Sequence, residues 1–206
     1  MTSLDILAEN YALDKSISTK CHNYIPGYTA LFEEKRCFAK NVLEIGIGSV
    51  ENGQMSGVVH LGYRTGNSLR CWRDYFVNAK IHGIDIFPHE LNETRITTYT
   101  CDQSSSKELD EVIDKIKSPI DIIIDDGSHR LEDQVFSFLH LEKHLSDNGI
   151  YVIEDIQPAG IDSFKNLSVF DDTTKSYILN KYYIAPFDTR HILNRADDFM
   201  IAFIKK

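Results

Sequence analysis

The chain has 206 residues, a formal net charge of −9 and 42% hydrophobic residues, including 11 Phe, 10 Tyr and one Trp. That is one ordinary domain with enough apolar material for a core, which excludes a wholly disordered chain and argues against a general nucleic-acid binder. The longest apolar run, Phe199–Ile204, is far short of the roughly 18–20 residues of a membrane span, and no apolar leader follows the acidic N-terminus. No membrane or nucleic-acid partner is therefore expected. Cys21, Cys37, Cys71 and Cys101 are widely spaced without a CxxC pair. This suits four free thiols, most of them buried, in a reducing cytoplasm.

In chain order, Leu4, Leu7, Ala8 and Tyr11 predict an N-terminal helix outside any sheet. Val42–Ile47 predicts a first strand ending in glycine, and Leu69, Trp72 and Phe76 a helix after it. Ile81–Ile86 and Ile96–Thr100 predict two more strands. Leu109, Val112, Ile113 and Ile116 predict a helix with a Ser105/Glu108 capping box and a stop at Ser118-Pro119. Ile120–Ile124 is a strand bracketed by aspartates. Leu131, Val135, Phe138 and Leu139 mark another helix, and Asn148-Gly149 turns into the Ile150–Ile153 strand. Tyr182–Ala185 and Phe199–Ile204 add two strands. Continuous apolar runs mean strands buried on both faces, and their alternation with helices predicts an α/β, doubly wound, mostly parallel seven-stranded sheet. Ligands of such sheets sit at the carboxyl ends of the strands.

The first strand end reads Leu43-Glu44-Ile45-Gly46-Ile47-Gly48. The third glycine of a dinucleotide fingerprint is missing, and Asp85 lies much further on than the roughly 20 residues expected for its acid. Glu44 would repel a pyrophosphate and attract a cation, which favours the sulfonium and ammonium of S-adenosylmethionine over NAD. The alternative for Glu44 is a partly buried acid satisfied by backbone donors. Asp85 can receive a ribose diol or cap a helix. Asp102 and Gln103 can receive an adenine amino group or close a turn. The fourth and fifth strand ends carry Asp125-Asp126-Gly127-Ser128-His129 and Glu154-Asp155. Adjacent carboxylates repel unless compensated, so two acidic pairs facing a cleft suit Mg²⁺, with His129 as general base. The alternative is helix capping with a solvated histidine. His22, His60, His82, His89, His140, His144 and His191 read as surface or core residues.

The Val42–Gly48 segment, Gly66–Phe76, Ile81–Asp85, Cys101-Asp102-Gln103, Asp121–His129 and Asn148–Ile156 together resemble the class I, metal-dependent O-methyltransferases that act on macrolide sugars, of the mycinamicin and tylosin type. Tyr11–Lys15 and His22–Pro26 resemble that family's approach segment over the active site. The resemblance covers roughly residues 10–157. It implies a Rossmann-like fold, with residues 1–40 as the approach segment and 41–206 as the methyltransferase domain. It implies Asp126, Glu154 and Asp155 as Mg²⁺ ligands and His129, with Asp126, as the catalytic pair. Glu44, Gly46, Ser68, Asp85, Asp102, Gln103 and Asp125 would surround S-adenosylmethionine. The implied acceptor is a sugar, nucleotide-sugar or glycoside with a vicinal diol, and the implied assembly a homo-oligomer. The larger macrolide enzymes carry an added N-terminal domain, which is not expected here, and Ile156–Asp172 and the C-terminal tail match nothing in the family. A cephalosporin-hydroxylase-like enzyme and a non-catalytic binding protein on the same fold stand as the rival readings.

Overall fold

The computed structural model describes residues 2–206. Helices α1 (Ser3–Asn10) and α2 (Ile25–Phe32) precede strand β1 (Asn41–Ile45). Then come α3 (Asn67–Tyr75), β2 (Lys80–Asp85), β3 (Ile96–Thr100), α4 (Ser106–Ile116) and β4 (Ile120–Asp125). Helix α5 (Leu131–Leu141), β5 (Leu145–Ile153), α6 (Pro158–Lys165), α7 (Asp172–Lys181), β6 (Tyr182–Asp188), α8 (Arg190–Leu193) and β7 (Phe199–Lys205) complete the chain. Among the described residues no helix is long and apolar enough to cross a membrane.

One sheet has the order β3-β2-β1-β4-β5-β7-β6. The first five strands in that order are parallel, while β7 runs antiparallel to both β5 and β6. The doubly wound, mostly parallel, seven-stranded expectation holds. The order reverses between β1 and β4, which opens a crevice at their carboxyl ends.

Alternate residues of each strand feed two apolar layers. On one face Ile122, Ile124 and Val152 meet Leu4, Tyr28, Phe32 and Trp72 of α1, α2 and α3. On the other, Ile123, Tyr151 and Phe203 meet Val112, Phe138, Phe164 and Ile178 of α4 to α7. Helices α1 and α2 therefore share one core layer with α3.

Three local expectations need correction. In α4, Ser105 caps the Glu108 N–H at 3.4 Å, but the Glu108 carboxylate accepts from the Asp102 N–H at 2.9 Å, so the box does not close. In α5, Leu139 is exposed, and Gln134 and Ser137 are buried beside Phe138 and Leu141. The buried polar pair has a task at the strand ends, where Gln134 Nε2 donates to the Glu154 carbonyl at 2.9 Å and Ser137 Oγ donates to Asp125. All four cysteines are free, but only Cys71 and Cys101 are buried and Cys37 is exposed.

His82 lies on β2 with its Nδ1 3.2 Å from Tyr99 Oη, and burial together with Lys80 pulls its pKa down to about 4. The unfolded chain then takes up a proton before the folded one, so this contribution is complete above about pH 6.5 and is lost as pH falls toward about 4. Urea unfolding across that window should show a smaller acid-side loss of stability in His82→Gln than in the wild type. Equal losses would contradict this.

Candidate active site

The crevice is a cavity of about 640 Å³ lined by the ends of β1, β2, β4 and β5 and by Asp14, Cys21, His22, Arg195 and Asp197. Its size suits a cofactor-sized ligand. Gly46 makes the floor possible. It has φ +88°, and a Cβ there would lie 2.0 Å from the Asp126 carbonyl oxygen. Asp85 pins the loops around it, accepting from the Ile47 N–H at 3.0 Å and the Phe87 N–H at 2.9 Å. Asp102 accepts from the Ser104 N–H and hydroxyl at 2.9 and 2.7 Å. Gln103 donates to Asp125 at 3.1 Å and accepts from the Ser128 N–H at 2.7 Å. Gly46, Asp85, Asp102 and Gln103 thus line one cavity with Asp126, His129 and Asp155.

Three expected donor contacts lie beneath that lining. Glu44 is fully buried and accepts from Ser68 Oγ at 2.7 Å and Trp72 Nε1 at 3.0 Å. Both of its partners are side chains of α3, and burial pushes its pKa up to about 7 against the pull of Lys15 and these two donors. Ser68 is consumed by this contact. Asp125 is fully buried beneath Gln103, Ser137 and the Gly127 N–H. Burial raises its pKa to about 6 against the pull of those donors. Glu44 and Asp125 fail to line the cavity because their side chains project to the α3 and α5 sides of the sheet, and Ser68, on α3, fails to line it because it is turned onto Glu44.

The acidic corner combines β4 and β5. His129 Nε2 lies 3.2 Å from Asp126 Oδ1 and 3.8 Å from Asp155 Oδ2. One ligand atom from each of the three residues falls within 4.8 Å of the others, a hard-oxygen donor set with one imidazole that fits a divalent cation. His129 and Asp155 both sit in the left-handed region, at φ +57° and +48°, a backbone cost concentrated at this corner.

Glu154, expected as a third ligand, is outside this group. Its Oε2 accepts from Lys15 Nζ at 2.9 Å and its Oε1 from Tyr28 Oη. Lys15 also reaches Asp126 Oδ2 at 2.5 Å. Tyr24 Oη donates to Asp155 Oδ1 at 2.6 Å. His22, expected as a surface or core histidine, lines the cavity with Nδ1 3.4 Å from both Asp155 and Asp198.

Sequence reasoning assigns no role to Lys15, His22, Tyr24 or Tyr28, nor to Arg195 and Asp197 of the cavity wall. The only signal for the first four is their place in the approach segment.

The charges resolve as one network. Burial works against the Lys15 ammonium, but Asp126, Glu154, Asp14 and Glu44 outweigh it and keep it protonated. Burial likewise opposes ionisation of Asp126, yet Lys15 and His129 hold it below the usual carboxylate range. Burial raises Glu154, with Lys15 pulling the other way and Asp126 and Asp155 adding to the rise. Burial pulls the His129 imidazolium down, but Asp126, Asp155 and Glu154 reverse that and raise its pKa to about 9.

Residues 59–156 match a family described as a methyltransferase domain. A curated relative from Streptomyces olivaceus, 8-demethyl-8-alpha-L-rhamnosyl tetracenomycin-C 2'-O-methyltransferase, is 34% identical over 76% of this chain and 39% of its own length. Demethylmacrocin O-methyltransferase of Streptomyces fradiae is 38% identical over 67% of this chain and 33% of its own. Among solved structures, the MycE methyltransferase of the mycinamycin pathway, in complex with Mg, SAH and mycinamycin VI, superposes with TM-score 0.72 at 25% identity. That superposition covers 100% of this chain and 53% of MycE. The chain thus spans well under two thirds of the length of these relatives.

Gly46→Ala should cost about 2 kcal/mol or more, since it combines a forbidden φ with a backbone clash. Denaturant unfolding measures this, and a loss under about 0.5 kcal/mol would contradict the close approach of Gly46 to the Asp126 backbone at the ends of β1 and β4.

Proposed function

We propose that the chain, whose fold is that of the class I, Rossmann-like methyltransferases, is a metal-dependent O-methyltransferase. It moves the methyl group of S-adenosylmethionine to a hydroxyl of a sugar or glycosylated small molecule. The observation that carries this reading is one cavity holding both the glycine loop with Asp85, Asp102 and Gln103 and the corner of Asp126, His129 and Asp155. The relatives named above support the choice of acceptor class.

Gly46 and the turn after it let the backbone approach the donor closely, while Asp85 and Asp102 offer carboxylates to its ribose and adenine. Glu44, Ser68 and Asp125 act from beneath, fixing α3, α5 and the loops against the sheet. Asp126 and Asp155 would hold Mg²⁺, a cation commonly bound through one or two carboxylates with other positions left for oxygen ligands. When bound, the ion supplies Lewis-acid stabilisation of the charge developing on the acceptor oxygen.

His129 Nε2 takes the proton of the acceptor hydroxyl as that oxygen forms its bond to the methyl carbon and the sulfur–carbon bond breaks. That same Nε2 is hydrogen-bonded to Asp126 Oδ1 at 3.2 Å, so it would be free to act as base only once Asp126 Oδ1 turns to the cation. With its acids uncompensated His129 stays protonated at neutral pH, so it can serve as base only when their charge is offset. A vicinal diol would suit such a cation, which prefers oxygen ligands. Residues 1–40 act as the approach segment and 41–206 as the methyltransferase domain. We place the protein in the cytoplasm on its free thiols, and on the family resemblance as a homo-oligomer.

Labelled S-adenosylmethionine and rhamnosyl glycosides test the reading. EDTA should lower turnover by about 100-fold or more, with recovery on adding Mg²⁺. Undiminished turnover without metal would overturn the metal role. His129→Ala should lower kcat by about 10²–10⁴-fold while S-adenosylmethionine affinity stays within about threefold. Unchanged kcat would remove His129 as base.

A further inference from the structure

Lys15 is a lysine with only 1% of its surface exposed, and the reaction proposed above makes no use of an amine. It enters from the loop between α1 and α2 and places Nζ 2.5 Å from Asp126 Oδ2, 2.9 Å from Glu154 Oε2 and 3.9 Å from Glu44 Oε1. These acids end β4, β5 and β1, three neighbouring strands. Burying an ammonium costs several kcal/mol unless acids match it, and clustered carboxylates need cations just as strongly.

The hydrogen bonds divide the carboxylate oxygens into two sets. Lys15 occupies Asp126 Oδ2, Lys15 and Tyr28 occupy both oxygens of Glu154, and Tyr24 occupies Asp155 Oδ1. Asp126 Oδ1 and Asp155 Oδ2 remain, and both turn toward His129 Nε2.

We infer that Lys15 is a resident counter-cation and positioning residue of the acidic corner. Its ammonium takes the position between Asp126 and Glu154, so that the corner accepts one divalent ion rather than two, on the face of Asp126 Oδ1 and Asp155 Oδ2. The inference rests on the divalent-cation reading above. Two-metal sites set their ions about 3.5–4 Å apart across shared carboxylates. A fixed ammonium supplies the charge of the second position without its ligand exchange. It also ties the N-terminal segment to the strand ends before any ion arrives, which keeps the corner assembled in the metal-free protein.

Manganese titration of the full chain, followed by electron paramagnetic resonance of free Mn²⁺, tests this. The wild type should bind one Mn²⁺ per chain. Lys15→Met should bind its first Mn²⁺ at least about tenfold tighter, because two carboxylates lose their ammonium. Two ions per wild-type chain would overturn the inference without recourse to any variant. One wild-type ion with unchanged or weaker binding in Lys15→Met would overturn it while leaving the divalent-cation reading intact. A wild type that binds no Mn²⁺ would instead defeat the cation reading and this inference with it.

Thermal unfolding gives a second readout if the metal-free variant is too unstable to titrate. Saturating Mn²⁺ should raise the Tm of Lys15→Met by about 5 °C more than that of the wild type. An equal or smaller rise would overturn the inference.

Discussion

Glu44, Asp126, Glu154 and Asp155 bring four carboxylates into one corner, and all but Asp126 are nearly or wholly buried. Like charges in a poorly solvated space cannot all ionise without positive partners. The rest of the site answers that constraint. Lys15 and His129 provide side-chain cations, Tyr24, Tyr28, Ser68 and Trp72 provide neutral donors, and one pair of oxygens, on Asp126 and Asp155, turns toward His129.

The fold delivers this balance through topology. Reversal of strand order between β1 and β4 opens the crevice, and the neighbouring β5 sets the second acidic pair beside the first. One apolar layer carries α1 and α2 onto the same face as α3, which lets a segment far upstream in sequence reach the strand ends. The opposite layer carries α5, whose two buried polar residues fix the backbone and the carboxylate beneath the cavity floor. Stability and ligand contact therefore fall to different residues of the same strand ends. Asp125 and Glu44 hold elements together, while their neighbours Asp126 and Gly46 face the ligand space.

Much of this was legible in the sequence wherever the signal was local. The Ile96–Thr100 run reads as a strand and is one, and the two acidic pairs with His129 stand out because their charge conflict is written in adjacent residues. What depended on tertiary pairing was not. Lys15 lies 111 residues from Asp126 and next to an acid in sequence, so it resembles any surface lysine. Glu44, Ser68 and Asp125 sit at the right strand and helix ends, but only the direction of each side chain decides whether it meets the cavity or the packing beneath it. The α5 stripe misleads for a related reason, since Gln134 and Ser137 face inward for hydrogen bonds that an apolar pattern does not record. The wall formed by Arg195 and Asp197 comes from a C-terminal loop with no family likeness to guide it.

The most direct measurement is anomalous diffraction from crystals grown with Mn²⁺ and S-adenosylhomocysteine. The expected result is a single manganese peak in contact with the carboxylates of Asp126 and Asp155, beside His129 and within the cavity that holds the nucleoside. A peak confined to another surface, or a nucleoside bound with no ion at this corner, would contradict the claim that these acids assemble around a divalent cation.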